Sequence, residues 1–118
     1  MVRALAHARR RPGAAHAHSG VPYRYRSYDL AFQHWLAQTG KQVDTWADED
    51  IELFATPADL RRAYDLLVFP GHTEYVTHRL FDLVEAFRDL GGNLMFLSAN
   101  NFFRKVVREN GRQTLVDE

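Results

Sequence analysis

The chain has 118 residues, 46 % of them hydrophobic, with 15 basic and 15 acidic side chains and no cysteine. That is enough for one small domain with a real core. It excludes disulfides, thiolate metal sites and a cysteine nucleophile, offers no overall basic charge for nucleic acid, and contains no apolar run near the ~20 residues of a membrane helix.

Residues 1–20 differ from the remainder. Arg3, Arg9, Arg10 and Arg11 lie among alanines with His7, His16 and His18, and no acidic residue precedes Asp29. A transit peptide, a nucleic-acid tail and a histidine metal tract are each conceivable. Serine is too scarce for the first, and two closely spaced histidines are too few for the last. The segment therefore reads as a disordered extension ahead of a domain over 21–118, with a start codon misplaced upstream of, or inside, a truncated gene. Val21 to Ser27 is an extended approach in which Tyr23 and Tyr25 alternate with Arg24 and Arg26. Such tyrosines serve a metal, a substrate or an apolar surface.

Ser27 is placed to cap a helix running to about Thr39, with Tyr28, Phe32, Trp35 and Leu36 on one face and Gly40 just past its end. Gln42–Trp46 reads as a short strand. Asp48, Glu49 and Asp50 follow in a solvated loop, since they lack the alternation and the glycine of a calcium loop. Thr56-Pro57 starts a short helix to Ala63, with a capping hydroxyl and then proline at the first helical position. Asp65 to Phe69 reads as a strand whose unbroken apolar run, Leu66-Leu67-Val68-Phe69, is the pattern of burial on both faces, and Pro70-Gly71 ends it. His72, Thr73, Glu74 and Tyr75 follow, and Thr77 caps a longer helix with Leu80, Phe81, Val84, Phe87 and Leu90 at helical spacing. Gly91-Gly92 closes that helix. Asn93–Ser98 is a second buried strand with a polar tip at Ala99-Asn100-Asn101. Phe102–Arg108, Asn110-Gly111 and Gln113–Val116 read as a β-hairpin.

This alternation predicts an α/β domain with a parallel sheet flanked by helices and a C-terminal β-hairpin. Its central first strand is missing from the pattern, or replaced by the tail. Right-handed crossovers set the ends of the two apolar strands side by side, which brings the tip of His72 and Glu74 to that of Asn100. Carboxyl ends of parallel strands are where open α/β sheets bind ligands. His72 and Glu74, two apart in extended chain, share a face. Glu74 suits a metal ligand, a base or a carboxylate beside a helix start; His72 a ligand, an orienting group or an acid/base; Asn100 an amide donor to an oxyanion. The plain alternative is a His-Glu bond tying a turn, with Asn100 in an Asx-turn.

The run Asp65-Leu66-Leu67-Val68-Phe69-Pro70-Gly71-His72-Thr73-Glu74-Tyr75 resembles the strand and Gly-His-x-Glu-Tyr motif of the large (beta) subunit of N,N-dimethylformamidase. The resemblance continues through Ala86-Phe87-Arg88-Asp89-Leu90-Gly91-Gly92-Asn93-Leu94-Met95-Phe96-Leu97-Ser98-Ala99-Asn100-Asn101. It implies a flavodoxin-like, class I glutamine-amidotransferase-like fold and an iron held by two tyrosines and a glutamate. Glu74 matches that glutamate, and the resemblance makes Tyr23 and Tyr25 the candidates for a tyrosine ligand. His72 and Asn100 match groups that orient the substrate. The expected activity is hydrolysis of the C–N bond of a small amide such as N,N-dimethylformamide, in the cytoplasm, by a member truncated at its N-terminus. The alternative is a non-catalytic α/β domain kept for binding or assembly. A sheet edge left open by a missing strand predicts a homo-oligomer or a second subunit.

Overall fold

The computed structural model describes residues 4–7 and 29–116, with side chains for the second span. In chain order the elements are β1 (Ala4–His7), α1 (Leu30–Gln38), β2 (Val43–Trp46), α2 (Asp48–Ile51), α3 (Pro57–Ala63), β3 (Leu66–Phe69), β4 (Tyr75–Val76), α4 (His78–Asp89), β5 (Asn93–Phe96), β6 (Arg104–Glu109) and β7 (Arg112–Leu115). They form a mixed helix-and-strand unit with two open sheets, ordered β2-β1-β3-β5 and β4-β6-β7. No helix among the described residues is long and apolar enough to cross a membrane.

The strand expected to be missing is present. Ala4–His7 lies between β2 and β3 and pairs parallel with both, from Ala4↔Val43 to His7↔Trp46 on one side and from Ala4↔Leu66 to Ala6↔Val68 on the other. Its composition hid it: two alanines and a histidine have little strand preference. Two flanking strands satisfy its backbone groups, and that lateral pairing outweighs a weak local preference. The reading of residues 1–20 as an unstructured tail therefore fails for this segment; residues 8–28, with Ser27 and Tyr28, lie outside the described residues.

The middle of the chain follows local rules closely. Thr56 Oγ1 accepts from Asp59 N at the start of α3, and Thr77 Oγ1 accepts from Leu80 N at the start of α4. Leu80, Leu83, Val84 and Phe87 are the buried residues of α4, and Leu80, Val84 and Phe87 share one core with β3 residues Leu67 and Phe69 and with Ile51, Leu60 and Tyr64. Leu90, placed on the apolar face of α4 by spacing, is exposed. Gly92 is required sterically, because a Cβ there would stand 2.1 Å from the Phe87 ring. The Asn110-Gly111 turn has positive φ at both residues and joins β6 to β7 in antiparallel register.

Three expectations are corrected. First, β5 is not a buried strand. It pairs with β3 at the edge of its sheet, and Met95, Phe96 and the following Leu97 are each more than one-third exposed. An apolar run reports affinity for a core, not whether the core closes over both faces. Second, Asp48 to Asp50 opens the short helix α2 instead of a solvated loop. The Asp50 carboxylate accepts the Ala47 N–H at 3.0 Å, which caps the helix. Arg108 from β6 reaches the other acids: Nη2 is 3.6 Å from Asp48 Oδ2, Nε is 3.4 Å from Glu49 Oε1, and Nη1 is 2.6 Å from Glu52 Oε1. With its amide oxygen turned to the guanidinium, Gln113 accepts from Nε at 2.8 Å. Third, β6 starts at Arg104, not Phe102, because Phe102 has φ +54° and cannot continue an extended strand.

Candidate functional site

The site is built where β3 and β5 end. The two strands run parallel in register from Leu66↔Asn93 to Phe69↔Phe96, so their carboxyl ends are level. The Phe69 and Phe96 rings stack there with centroids 4.9 Å apart. Beyond them the strand pairing continues as loop contacts. Leu97 N donates to Phe69 O at 3.0 Å, and Ser98 Oγ donates to Gly71 O at 2.7 Å. Phe102 N then donates to Thr73 O at 2.7 Å, and Phe103 N and Arg104 N both donate to Glu74 O, at 3.1 and 2.8 Å. The two tips expected to converge are thus joined through their backbones.

On the β3 tip, Thr73 is fully buried while His72 and Glu74 on either side are half-buried. That alternation is what extended chain produces, with i and i+2 on one face. Glu74 does not stand at a helix start. β4 intervenes before Thr77, the N-cap of α4. The helix dipole, which fades within a turn, is therefore not what holds this carboxylate. Its backbone carbonyl is bonded twice, whereas among the described residues no side chain pairs with its carboxylate. A half-buried acid with a fixed backbone and an unpaired head is suited to receive a cation or a polar ligand.

On the β5 tip, Asn100 is exposed with φ +54°, the left-handed region that asparagine tolerates better than most residues. The amide that closes this turn belongs to its neighbour. Asn101 Nδ2 donates to Ser98 O at 2.8 Å, and Ser98 Oγ lies 3.2 Å from Asn101 Oδ1. The expected Asx-turn at Asn100 is therefore not what closes this turn: the Asn101 amide does so by donating back to a carbonyl three residues earlier, which leaves the Asn100 amide at the tip. Tyr23 and Tyr25 lie outside the described residues.

Four residues of the site went unmarked by their sequence. Ser98 and Thr73 look like ordinary loop polars, Asn101 is shadowed by Asn100, and Phe102 reads as a strand start. The doubled asparagine after a serine was the available signal for the turn. Nothing local announces the left-handed Phe102. Phe102 packs edge-on to Phe69 at 5.4 Å and to Phe96 at 5.6 Å, with Phe81 at 6.1 Å.

The donor set decides what the site can hold. Among the described residues no group of three or more His, Cys, Asp or Glu side chains could hold a metal ion. Glu74 and His72 supply a carboxylate and an imidazole. A third His, Cys, Asp or Glu ligand beside them would have to come from outside the described residues.

One comparison with known proteins is informative. A family model described as N,N-dimethylformamidase beta subunit-like, C-terminal, matches residues 3–117. That span includes β1 and both tips. No curated protein matches the chain.

Proposed function

The chain belongs to the N,N-dimethylformamidase beta subunit-like, C-terminal family, and from that premise we propose that it is an amidohydrolase domain acting on the C–N bond of a small amide. The observation that carries the reading is the Glu74 carboxylate, unpaired among the described residues and fixed through its backbone at the joined ends of β3 and β5. We read the parallel β2-β1-β3-β5 order as the flavodoxin-like, class I glutamine-amidotransferase-like arrangement, whose ligands lie at the carboxyl ends of the strands.

In this reading Glu74 is a ligand to iron, with Tyr23 and Tyr25 as the candidates for its remaining protein ligands. Iron bound there would polarise the amide carbonyl and make a bound water more acidic. His72, on the same face as Glu74, orients the substrate or carries a proton between water and the departing amine. Asn100 offers an N–H to the carbonyl oxygen as it gains negative charge. The family's description as beta subunit-like supports a second subunit as partner. A homo-oligomer is the other form of association we propose, now through the β5 edge because β1 fills the place of the strand expected to be missing, and light scattering separates these from a monomer.

A non-catalytic binding or assembly domain is the second reading. What favours it is that the His, Cys, Asp and Glu side chains among the described residues form no group of three that could hold a metal ion. Iron content and amine release decide between the two. The enzyme reading expects close to one iron per purified chain and release of dimethylamine from N,N-dimethylformamide, both lost in Glu74→Gln. A wild-type chain with neither iron nor hydrolysis assigns the fold to binding.

A further inference from the structure

Phe102 combines two features that do not belong together by local preference. It is a bulky aromatic residue in the left-handed region, at φ +54°, where a Cβ crowds the backbone. It also stands where the β5 loop crosses the chain that carries Glu74. Its N–H is bonded to Thr73 O at 2.7 Å, and the next two amides are bonded to Glu74 O. Backbone strain of this kind persists only where the surroundings over-determine it, and it clusters at functional sites. Here the ring is what over-determines it, seated against Phe69, Phe96 and Phe81.

We propose that Phe102 is a positioning residue: its ring, anchored in the aromatic group, holds the left-handed turn that presses the amides of 102–104 onto the carbonyls of Thr73 and Glu74. The Glu74 carboxylate thereby projects from a rigid backbone although it sits in a loop. The inference deepens the proposed function, because the value of a rigid Glu74 rests on its reading as a ligand.

Two features of the arrangement support this over simple core filling. The hydrogen bonds run to the carbonyls of both peptides that flank the Glu74 Cα, so they fix its orientation as well as its place. Tyr75–Val76 then continues the same pairing with β6 through Tyr75↔Arg104 and Val76↔Lys105, so a shift at 102 would propagate into β4.

The test is amide hydrogen exchange on the full chain, followed by NMR, in wild type, Phe102→Gly, Phe102→Leu and Phe102→Tyr. Leu83→Ala serves as a core truncation outside the aromatic group. Glycine adopts the left-handed region freely but removes the anchor. Exchange of the 103 and 104 amides should rise roughly tenfold or more in Phe102→Gly, with the Leu67 and Val68 amides moved no further than in Leu83→Ala. Phe102→Tyr, which keeps the ring, should stay near wild type. If Phe102→Gly does not fold, Phe102→Leu carries the test with a smaller rise in the same direction. Wild-type protection at 103 and 104 in the folded variant, or loss spread evenly over the core, overturns the proposal. Competition for Fe(II) against a chelator is read in parallel. A wild-type chain that takes up no Fe(II) sinks the reading of Glu74 as a ligand, while the exchange data still decide the positioning role.

Discussion

Ser98 Oγ donates a hydrogen bond to the Gly71 carbonyl at 2.7 Å, and this side chain joins the tip of β5 to the tip of β3. Strand pairing has ended at this level, so the hydroxyl takes over from the ladder. Replacing it with alanine leaves the Gly71 carbonyl to find water in a half-buried place. Ser98→Ala should cost about 1 kcal/mol of stability in urea unfolding, with the slope unchanged. If the site is catalytic, the turnover of Ser98→Ala should fall by more than this small stability loss implies, because the two tips are then free to separate. Equal activity in the two proteins would detach the Ser98 bond from function.

Arg108 is the second fastener, and it acts from the other end of β4. Its guanidinium meets Asp48, Glu49 and Glu52, and Glu52 Oε1 also accepts from Thr77 Oγ1 at 2.6 Å. Arg108 and Glu52 are mostly buried and Asp48 almost fully, so removing the cation leaves acids facing one another with little water. Arg108→Met should therefore lose about 2–4 kcal/mol, at the lower side of the range for broken buried pairs because Glu49 is exposed. Adding Glu52→Gln to that variant should recover part of the loss. A double variant no more stable than Arg108→Met would show that like-charge repulsion is not the cause.

The two glycines at the end of α4 should respond differently to alanine. Gly91 has φ +86° with open space around it, so Gly91→Ala meets only backbone strain, about 1–2 kcal/mol. Gly92 has a Phe87 ring carbon 2.1 Å from where its Cβ would lie, and Phe87 is fully buried. Gly92→Ala must displace a core ring and should cost about 1–3 kcal/mol, with altered near-ultraviolet circular dichroism that Gly91→Ala does not show. Unfolding curves together with the aromatic signal distinguish the two causes.

The helix caps give a graded comparison. Thr56 and Thr77 each accept a hydrogen bond from the backbone three residues on, but Thr56 is exposed and Thr77 is buried. Each hydroxyl also donates to a carboxylate, Thr56 to Asp59 Oδ2 at 2.7 Å in an exposed bond and Thr77 to Glu52 Oε1 at 2.6 Å within the part-buried Arg108 cluster. Thr56→Ala should cost about 0.5–1 kcal/mol and Thr77→Ala about 2 kcal/mol, the upper end for a lost cap. Equal costs would mean that burying the Thr77 cap and its Glu52 bond adds nothing over the exposed Thr56–Asp59 arrangement.

Much of this protein could be read from neighbouring residues alone. Thr56-Pro57, Thr77, the Gly91-Gly92 stop and the Asn110-Gly111 turn act over one turn of chain, and each fell where its residues put it. So did the apolar run of β3 and the polar tip after it, because burial and chain reversal are written in side-chain type. Tertiary structure decided the rest. Ala4–His7 becomes a central strand because β2 and β3 bond it from both sides, not because its residues favour extension. Asp48 and Glu49 become partners of Arg108, distant in sequence, and Phe102 accepts a left-handed backbone because three aromatic rings hold its own. Each of these outcomes depends on groups far along the chain that compete with local preference, and their free energy exists only once the sheets have assembled.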